Sequence, residues 1–246
     1  MFVPTTTPKV VAIVGLGPTK QFYNEEVDAC GDRKKLFHET WTFNSYASVI
    51  ESDMLFHMDD VLVQDIRVAN GNVRVANMLE AMKRYKGPIF SSFPDERFPT
   101  MKQFPIAEIA GFYNSLYFTT TPTYAMAMAG FIGVEKLYIY GCDYTWPGIA
   151  GAESGRAGME YWVGRLTGMG VKIFIHPESS LCDARLNRKE KFHLYGYDRV
   201  DCSLREHEDG SMQLVMREKN LPTAEEIEER YSHYVEGSSI QVDVVN

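Results

Sequence analysis

A short apolar run that stops on glycine does most to limit what this chain can fold into. Lys9–Val14 reads KVVAIV, and Gly15-Leu16-Gly17-Pro18-Thr19 follows at once. β-Branched and apolar residues in succession, with no polar alternation, belong to a strand covered on both faces. That is the habit of parallel sheets flanked by helices. Further short apolar runs recur at ETWTF (Glu39–Phe43), MLFHM (Met54–Met58), PIFSS (Pro88–Ser92), Leu137–Tyr140 and Val171–Ile175. Each is strand-sized and bounded by turn residues.

Helix-period segments lie between them. Asn72–Tyr85 places Val75, Met78, Leu79 and Met82 on one face, with Asn72 as cap and Gly87-Pro88 as stop. Thr121–Gly133 is a small-residue helix with Pro122 in its first turn. Arg156–Gly168 carries Met159, Trp162, Val163 and Leu166 at helical spacing. The stretch from Ser92 to about Phe112, rich in Pro and Phe, reads as a long irregular segment of the kind that forms lids. Strands alternating with helices predict an α/β fold, Rossmann-like, with an open, mostly parallel sheet and helices on both faces. Residues 1–182 form that nucleotide-binding domain. Residues 183–246 are a C-terminal extension, read as a helix over Pro222–Glu236 capped by Thr223 and a final strand, SIQVDVV.

The charge balance narrows the partners. Lys and Arg number 25 against 33 Asp and Glu, a net charge of −8, whereas a protein that tracks nucleic-acid phosphates carries a basic excess. A small-molecule ligand is therefore expected, with an acceptor that the sequence does not identify; a nucleic-acid acceptor has no support from charge. The opening residues lack a basic stretch followed by a long apolar one, and no run approaches the roughly 18 apolar residues of a membrane span. Cytoplasmic location without membrane contact is the expectation, with self-association as the remaining partner class. Cys30, Cys142, Cys182 and Cys202 form no CxxC pair and read as reduced thiols.

The G-x-G turn after the first strand presents backbone N–H groups at a helix start, where the dipole favours an anion. Gly15, Gly17, Pro18 and Thr19 are therefore candidate phosphate contacts, and a tight turn is the alternative. The third glycine of a dinucleotide fingerprint is replaced by Lys20, and there is no Walker motif. Other candidates sit at strand ends. His57, beside Asp59 and Asp60, is the candidate general base, or else a strand-end histidine hydrogen-bonded to a loop. Asp59 and Asp60 are candidate Mg²⁺ ligands, or simply the start of a helix. Asp143 is a candidate for gripping a ribose or metal, or a structural cap. His176 and the Glu178-Ser179-Ser180 that follow read as a turn cap. Lys20, Arg97 and Arg156 are candidate phosphate clamps, and Tyr113, Tyr117, Tyr124, Tyr144 and Trp146 candidate stacking surfaces.

Four segments, in order, carry a resemblance. VAIVGLGPTK resembles the first strand and loop of bacterial lipooligosaccharide sialyltransferases, of the type V-I-x-x-G-x-G-P-S-L. WTFNSY, TTTPTYAMAMAGFIGVEKLYIYGCDYTW and VKIFIHPESSL are similar to later motifs of that family. The same pattern resembles 6-hydroxymethylpterin pyrophosphokinase-like proteins and uncharacterised phage proteins. The matches run from Val10 to Leu181. The resemblance implies a nucleotide-dependent, glycosyltransferase-like transferase using a nucleotide or nucleotide-sugar donor, with phage nucleic-acid modification as one setting. A non-catalytic nucleotide binder and a Mg²⁺-dependent diphosphotransferase are its alternatives. It further implies that Gly17, Pro18 and Thr19 face the donor, that Asn44, Thr120 and Thr121 contact the nucleotide, and that Asp143 and Tyr144 match a G-I-D-F-Y element. Two departures stand out: Pro122 replaces a family glycine, and Thr145–Gly170 holds no His, where the family places its acceptor base.

Overall fold

The computed structural model describes residues 7–145, 149–184, 201–208, 212–217, 223–226 and 228–229. Two compact units are present, Met1–Arg185 and Leu186–Asn246.

The first unit is a seven-stranded sheet. Its strands are β1 (Val10–Val14), β2 (Glu39–Phe43), β3 (Met54–Phe56), β4 (Ile89–Ser91), β5 (Met101–Gln103), β6 (Lys136–Tyr140) and β7 (Lys172–Ile175). The order is β5-β4-β3-β2-β1-β6-β7, and every pairing is parallel. The α/β Rossmann-like class is thus the observed one.

The apolar runs explain the layers, because successive side chains point to opposite faces of a strand. Val11, Ile13, Trp41, Phe43, Phe56 and Phe90 join one core with residues of α5 (Ile106–Tyr113), α6 (Thr121–Ile132) and α7 (Ile149–Gly168). On the other face, Ala12 and Val14 pack with Tyr23 of α1 (Lys20–Cys30) and with Phe37, just past the short α2 (Arg33–Leu36). Leu55 and Ile89 meet Val61 of α3 (Val61–Ala69) and the Met78, Leu79 and Met82 of α4 (Val73–Arg84). Both faces of β1 are fully buried, as its uninterrupted apolar run requires. No helix among the described residues is long and apolar enough to cross a membrane.

The structure corrects several expectations. The segment read as irregular up to Phe112 contains the edge strand β5 and most of α5. Its phenylalanines Phe98 and Phe104 are buried core groups, so they mark packing rather than a lid. Of helix α3 the sequence reading offers only a start, as the alternative for Asp59 and Asp60, and α7 begins seven residues before Arg156. In the second unit, β8 (Asp201–Glu206) and β9 (Met212–Arg217) form an antiparallel pair that was not expected. The Thr223 cap is present: its hydroxyl accepts from Glu226 N–H at 3.2 Å, and its own N–H donates to the Glu226 carboxylate at 2.8 Å. The final SIQVDVV lies outside the described residues.

Candidate functional site

A parallel sheet gathers all its strand carboxyl ends on one edge. Chain order runs outward from β1 to β5 on one side and resumes with β6 and β7 on the other. The loops after β1 and β6 therefore diverge, and the crevice they leave is where ligands bind in open α/β sheets. A cleft of about 770 Å³ lies there. Its floor is Gly15–Pro18 after β1, Phe43 and Asn44 at the end of β2, and Met58 and Asp59 beyond β3. Gly141, Cys142, Tyr144 and Thr145 line it after β6, and Phe118–Pro122 with Tyr124 close it from the start of α6.

The turn after β1 spends several of its amides on the fold. Gly15 N–H donates to Tyr140 O at 2.8 Å and Gly17 N–H to Gly141 O at 2.7 Å. Thr19 N–H donates to the Asp143 carboxylate at 2.8 Å. The first amides of α1, on Lys20, Gln21 and Phe22, turn back to Gly17, Pro18 and Thr19 carbonyls at 3.2 Å. Pro18 has no N–H. The Gly15, Gly17 and Thr19 amides thus serve the fold, while Gly15–Pro18 border the cleft. The glycines are needed for the same internal reason. A Cβ on Gly15 would stand 2.4 Å from Gly141 O, and one on Gly17 would stand 2.6 Å from the Asp143 carboxylate. Gly141, at φ 65°, faces Gly15 across the same gap.

Asp143 is also reassigned. It is 3% exposed, and its carboxylate accepts from Thr19 N–H, from Thr19 Oγ1 at 2.8 Å and from Ser179 Oγ at 2.6 Å. Ser180 Oγ donates to its backbone carbonyl. It ties together the turn after β1, the end of β6 and the turn after β7, and it does not border the cleft. Thr19 shares that burial, and its hydroxyl accepts from Gly141 N–H at 2.8 Å. The Asp143 carboxylate and the Thr19 hydroxyl are thus bonded within the protein.

His57 has the geometry of the alternative reading, a strand-end histidine hydrogen-bonded to a loop. Its side chain is fully buried. Its Nδ1 lies 2.8 Å from Asn44 Oδ1, and its backbone N–H donates to Phe90 O at 2.8 Å. Burial lowers its proton affinity below the usual histidine range, against the opposing charge of Asp59. Asn44 does line the cleft and adopts the left-handed conformation, φ 49°, that asparagine tolerates better than most residues.

Asp60 caps α3, its Oδ1 accepting from Leu62 N–H at 2.8 Å. Of the expected Asp59–Asp60 metal pair, Asp59 alone faces the cleft. Among the described residues no group of three or more His, Cys, Asp or Glu side chains gathers to hold a metal.

The expected cationic clamps are engaged elsewhere. Lys20 Nζ donates to Leu16 O at 3.0 Å, Arg97 pairs with Asp65 and Asp95, and Arg156 pairs with Glu160 and Asp183. His176 stacks flat on Phe22, ring centroids 3.8 Å apart, and its Nδ1 accepts from Glu178 N–H at 3.2 Å.

On the far wall, Thr120, Thr121, Tyr124 and Tyr144 line the cleft. The Tyr144 and Thr120 hydroxyls lie 3.0 Å apart, and burial raises the Tyr144 phenol well above its usual range. Burial likewise raises the Cys142 thiol, which stays protonated. Tyr113 instead belongs to the core, donating to Ala127 O at 2.9 Å. Tyr117 pairs edge-on with Tyr161. Trp146 lies outside the described residues. Sequence reasoning missed Phe43, Met58, Phe118 and Thr119. Phe43 was within reach, since it ends a predicted strand at the edge where ligands bind.

No family model matches the chain, and no curated protein matches it. Among solved structures it is similar to the sialyltransferase CstII from Campylobacter jejuni. The structure of that enzyme with the substrate analogue cytidine-5'-monophosphate has 13% identity and a TM-score of 0.39, over 92% of this chain and 99% of that one. A second structure of CstII, in complex with CMP-3FNeuAc, has 14% identity and a TM-score of 0.38, over 90% of this chain and 98% of that one.

Proposed function

We propose that the chain binds a nucleotide or nucleotide-sugar donor in the cleft between the β1 and β6 loops and transfers a group from it to a second molecule. The position of that cleft carries the reading: it opens at the carboxyl edge of the sheet, at the point where strand order reverses. Its walls fit a ring ligand. Phe43, Phe118, Tyr124 and Tyr144 offer aromatic surface, while Asn44, Thr120 and Tyr144 offer polar groups that fix orientation. The sequence resemblance to sialyltransferases supports the same donor class.

Asp59 is the lining carboxylate, and it is exposed. It takes the base role first expected of His57. As the bond between donor and transferred group breaks, Asp59 accepts the proton of the incoming acceptor hydroxyl or amine, or steadies positive charge on the reacting carbon. Diphosphotransfer is the less favoured reading, since the Gly15, Gly17 and Thr19 amides are bonded within the fold and Asp59 is the carboxylate among the described residues that borders the cleft.

The test is binding followed by turnover. Pyrimidine nucleotides and their sugar conjugates raise the melting temperature, and a sugar conjugate yields free nucleotide. Asp59→Asn lowers turnover by roughly 10²–10⁴-fold, the usual contribution of a placed general base, with donor affinity retained. Nucleotide binding without any product makes the chain a binder. Stabilisation by ATP with Mg²⁺ alone overturns the donor assignment.

A further inference from the structure

Asn44 meets two different worlds: its side chain borders the cleft, yet its Oδ1 is held from behind by a histidine that no solvent reaches. A neutral imidazole carries one proton, on either nitrogen. His57 Nδ1 faces an oxygen at 2.8 Å, and an oxygen accepts, so the proton belongs on Nδ1. The other nitrogen agrees. His57 Nε2 is buried without a hydrogen-bond partner; a proton there would be a buried donor with nothing to receive it, a rarer and costlier state than an idle lone pair. The ring cannot easily turn to exchange its nitrogens, because it sits at the end of a central strand, wholly enclosed.

We infer that His57 is a positioning residue: it fixes the Asn44 amide with Oδ1 inward and Nδ2 toward the cleft, so that the site reads a hydrogen-bond acceptor on the ligand at that point. An unrestrained asparagine offers a donor or an acceptor by flipping its amide, and discriminates poorly between them. Locked by His57, it offers N–H donors only. The matching ligand feature is a ring carbonyl or unprotonated ring nitrogen, as on the edge of a pyrimidine base. This inference rests on the nucleotide reading for the class of ligand, but the orientation of the amide does not depend on it.

Two measurements on the full chain separate these parts. Long-range nitrogen NMR of the labelled protein reports which His57 nitrogen is protonated. The expected result is Nδ1–H; an Nε2–H tautomer overturns the inference. Cytidine-5'-monophosphate binding is then compared across variants that remain folded. His57→Leu frees the amide and weakens binding by about three- to tenfold, the size of one hydrogen bond. Asn44→Asp, which presents oxygen to the cleft, weakens it at least as much. His57→Asn places an amide N–H where Nδ1 stood and stays within about threefold of wild type, which a role in filling space alone would not favour over leucine. Equal affinities for His57→Leu and His57→Asn overturn the positioning role. A wild type that binds no nucleotide overturns the acceptor-reading half together with the proposed function, while the tautomer still decides the orientation.

Discussion

The donors that converge on the Asp143 carboxylate come from segments far apart in sequence, Thr19 and Ser179. A buried donor left without its acceptor costs about 1–3 kcal/mol. Asp143→Ala orphans several at once, so it is expected to lower unfolding free energy in urea by roughly 3 kcal/mol or more. Asp143→Asn keeps one acceptor oxygen and loses less. Equal stability of the alanine variant and wild type contradicts the anchoring role. His57 makes a pH-dependent contribution. Its folded proton affinity is depressed by burial, despite the pull of Asp59, so below about pH 6.5, the ordinary histidine value, the unfolded chain takes up a proton that the folded chain resists. The stability held by this site is complete above that pH and is lost as pH falls from it toward the folded value. Urea unfolding of the wild type followed from pH 7.5 to 5 is expected to weaken over this window, and His57→Asn to show a flatter profile. An equally steep profile in the variant rules His57 out as the source.

At the level of elements, the turn after β1 and the end of β6 interlock through Gly15, Gly17 and Gly141. Gly17→Val forces a side chain against the Asp143 carboxylate and Gly141 O. Overpacking of this kind costs about 1–3 kcal/mol, and the expected loss is in stability, read by the urea midpoint, with ligand affinity changing only as the turn shifts. A variant of full stability that has lost binding would restore the phosphate-cradle reading. The same physics explains what the sequence made legible. Strands β1, β2, β3, β4 and β6 were readable because burial demands apolar residues at most positions, while edge strand β7 was readable from its apolar run although it is half exposed. Helix α4 was readable because its Met78, Leu79 and Met82 form one buried stripe. Helix α3 was not, since it buries only Val61 and Gln64 and leaves Leu62 and Ile66 exposed. The first turns of α7 look like a loop because of Gly151 and Gly155, and Gly158 follows within the part that reads as helix. Two of these are small so that Tyr144 and Thr119 can pack against the helix: a Cβ on Gly155 would lie 2.3 Å from the Tyr144 ring, and one on Gly158 1.9 Å from Thr119 Oγ1. The family resemblance pointed to Asn44 and strand-end position to Asp59, both at the cleft, but neither signal could tell which polar groups the protein would use for itself. His57, Thr19 and Asp143 have the chemistry of a site, and their partners are set by contacts remote in sequence.

Across the whole molecule, the buried clusters of the first unit draw on residues from Val10 to Leu181. The cleft lies wholly within that unit, so the binding proposed here belongs to it. The net charge of −8 and the one carboxylate among the described residues that faces the cleft, Asp59, set a modest electrostatic resistance to anionic ligands. Affinity should therefore come from ring contacts and hydrogen bonds rather than from charge. The most direct test is amide and side-chain NMR mapping of the full chain titrated with cytidine-5'-monophosphate. Saturable shifts at Asn44, Asp59, Phe118, Thr120 and Tyr144 are the expected result. No saturable shift with this or any other nucleotide, or shifts confined to residues away from the carboxyl edge of the sheet, such as Gly133 and Lys172, would contradict the account.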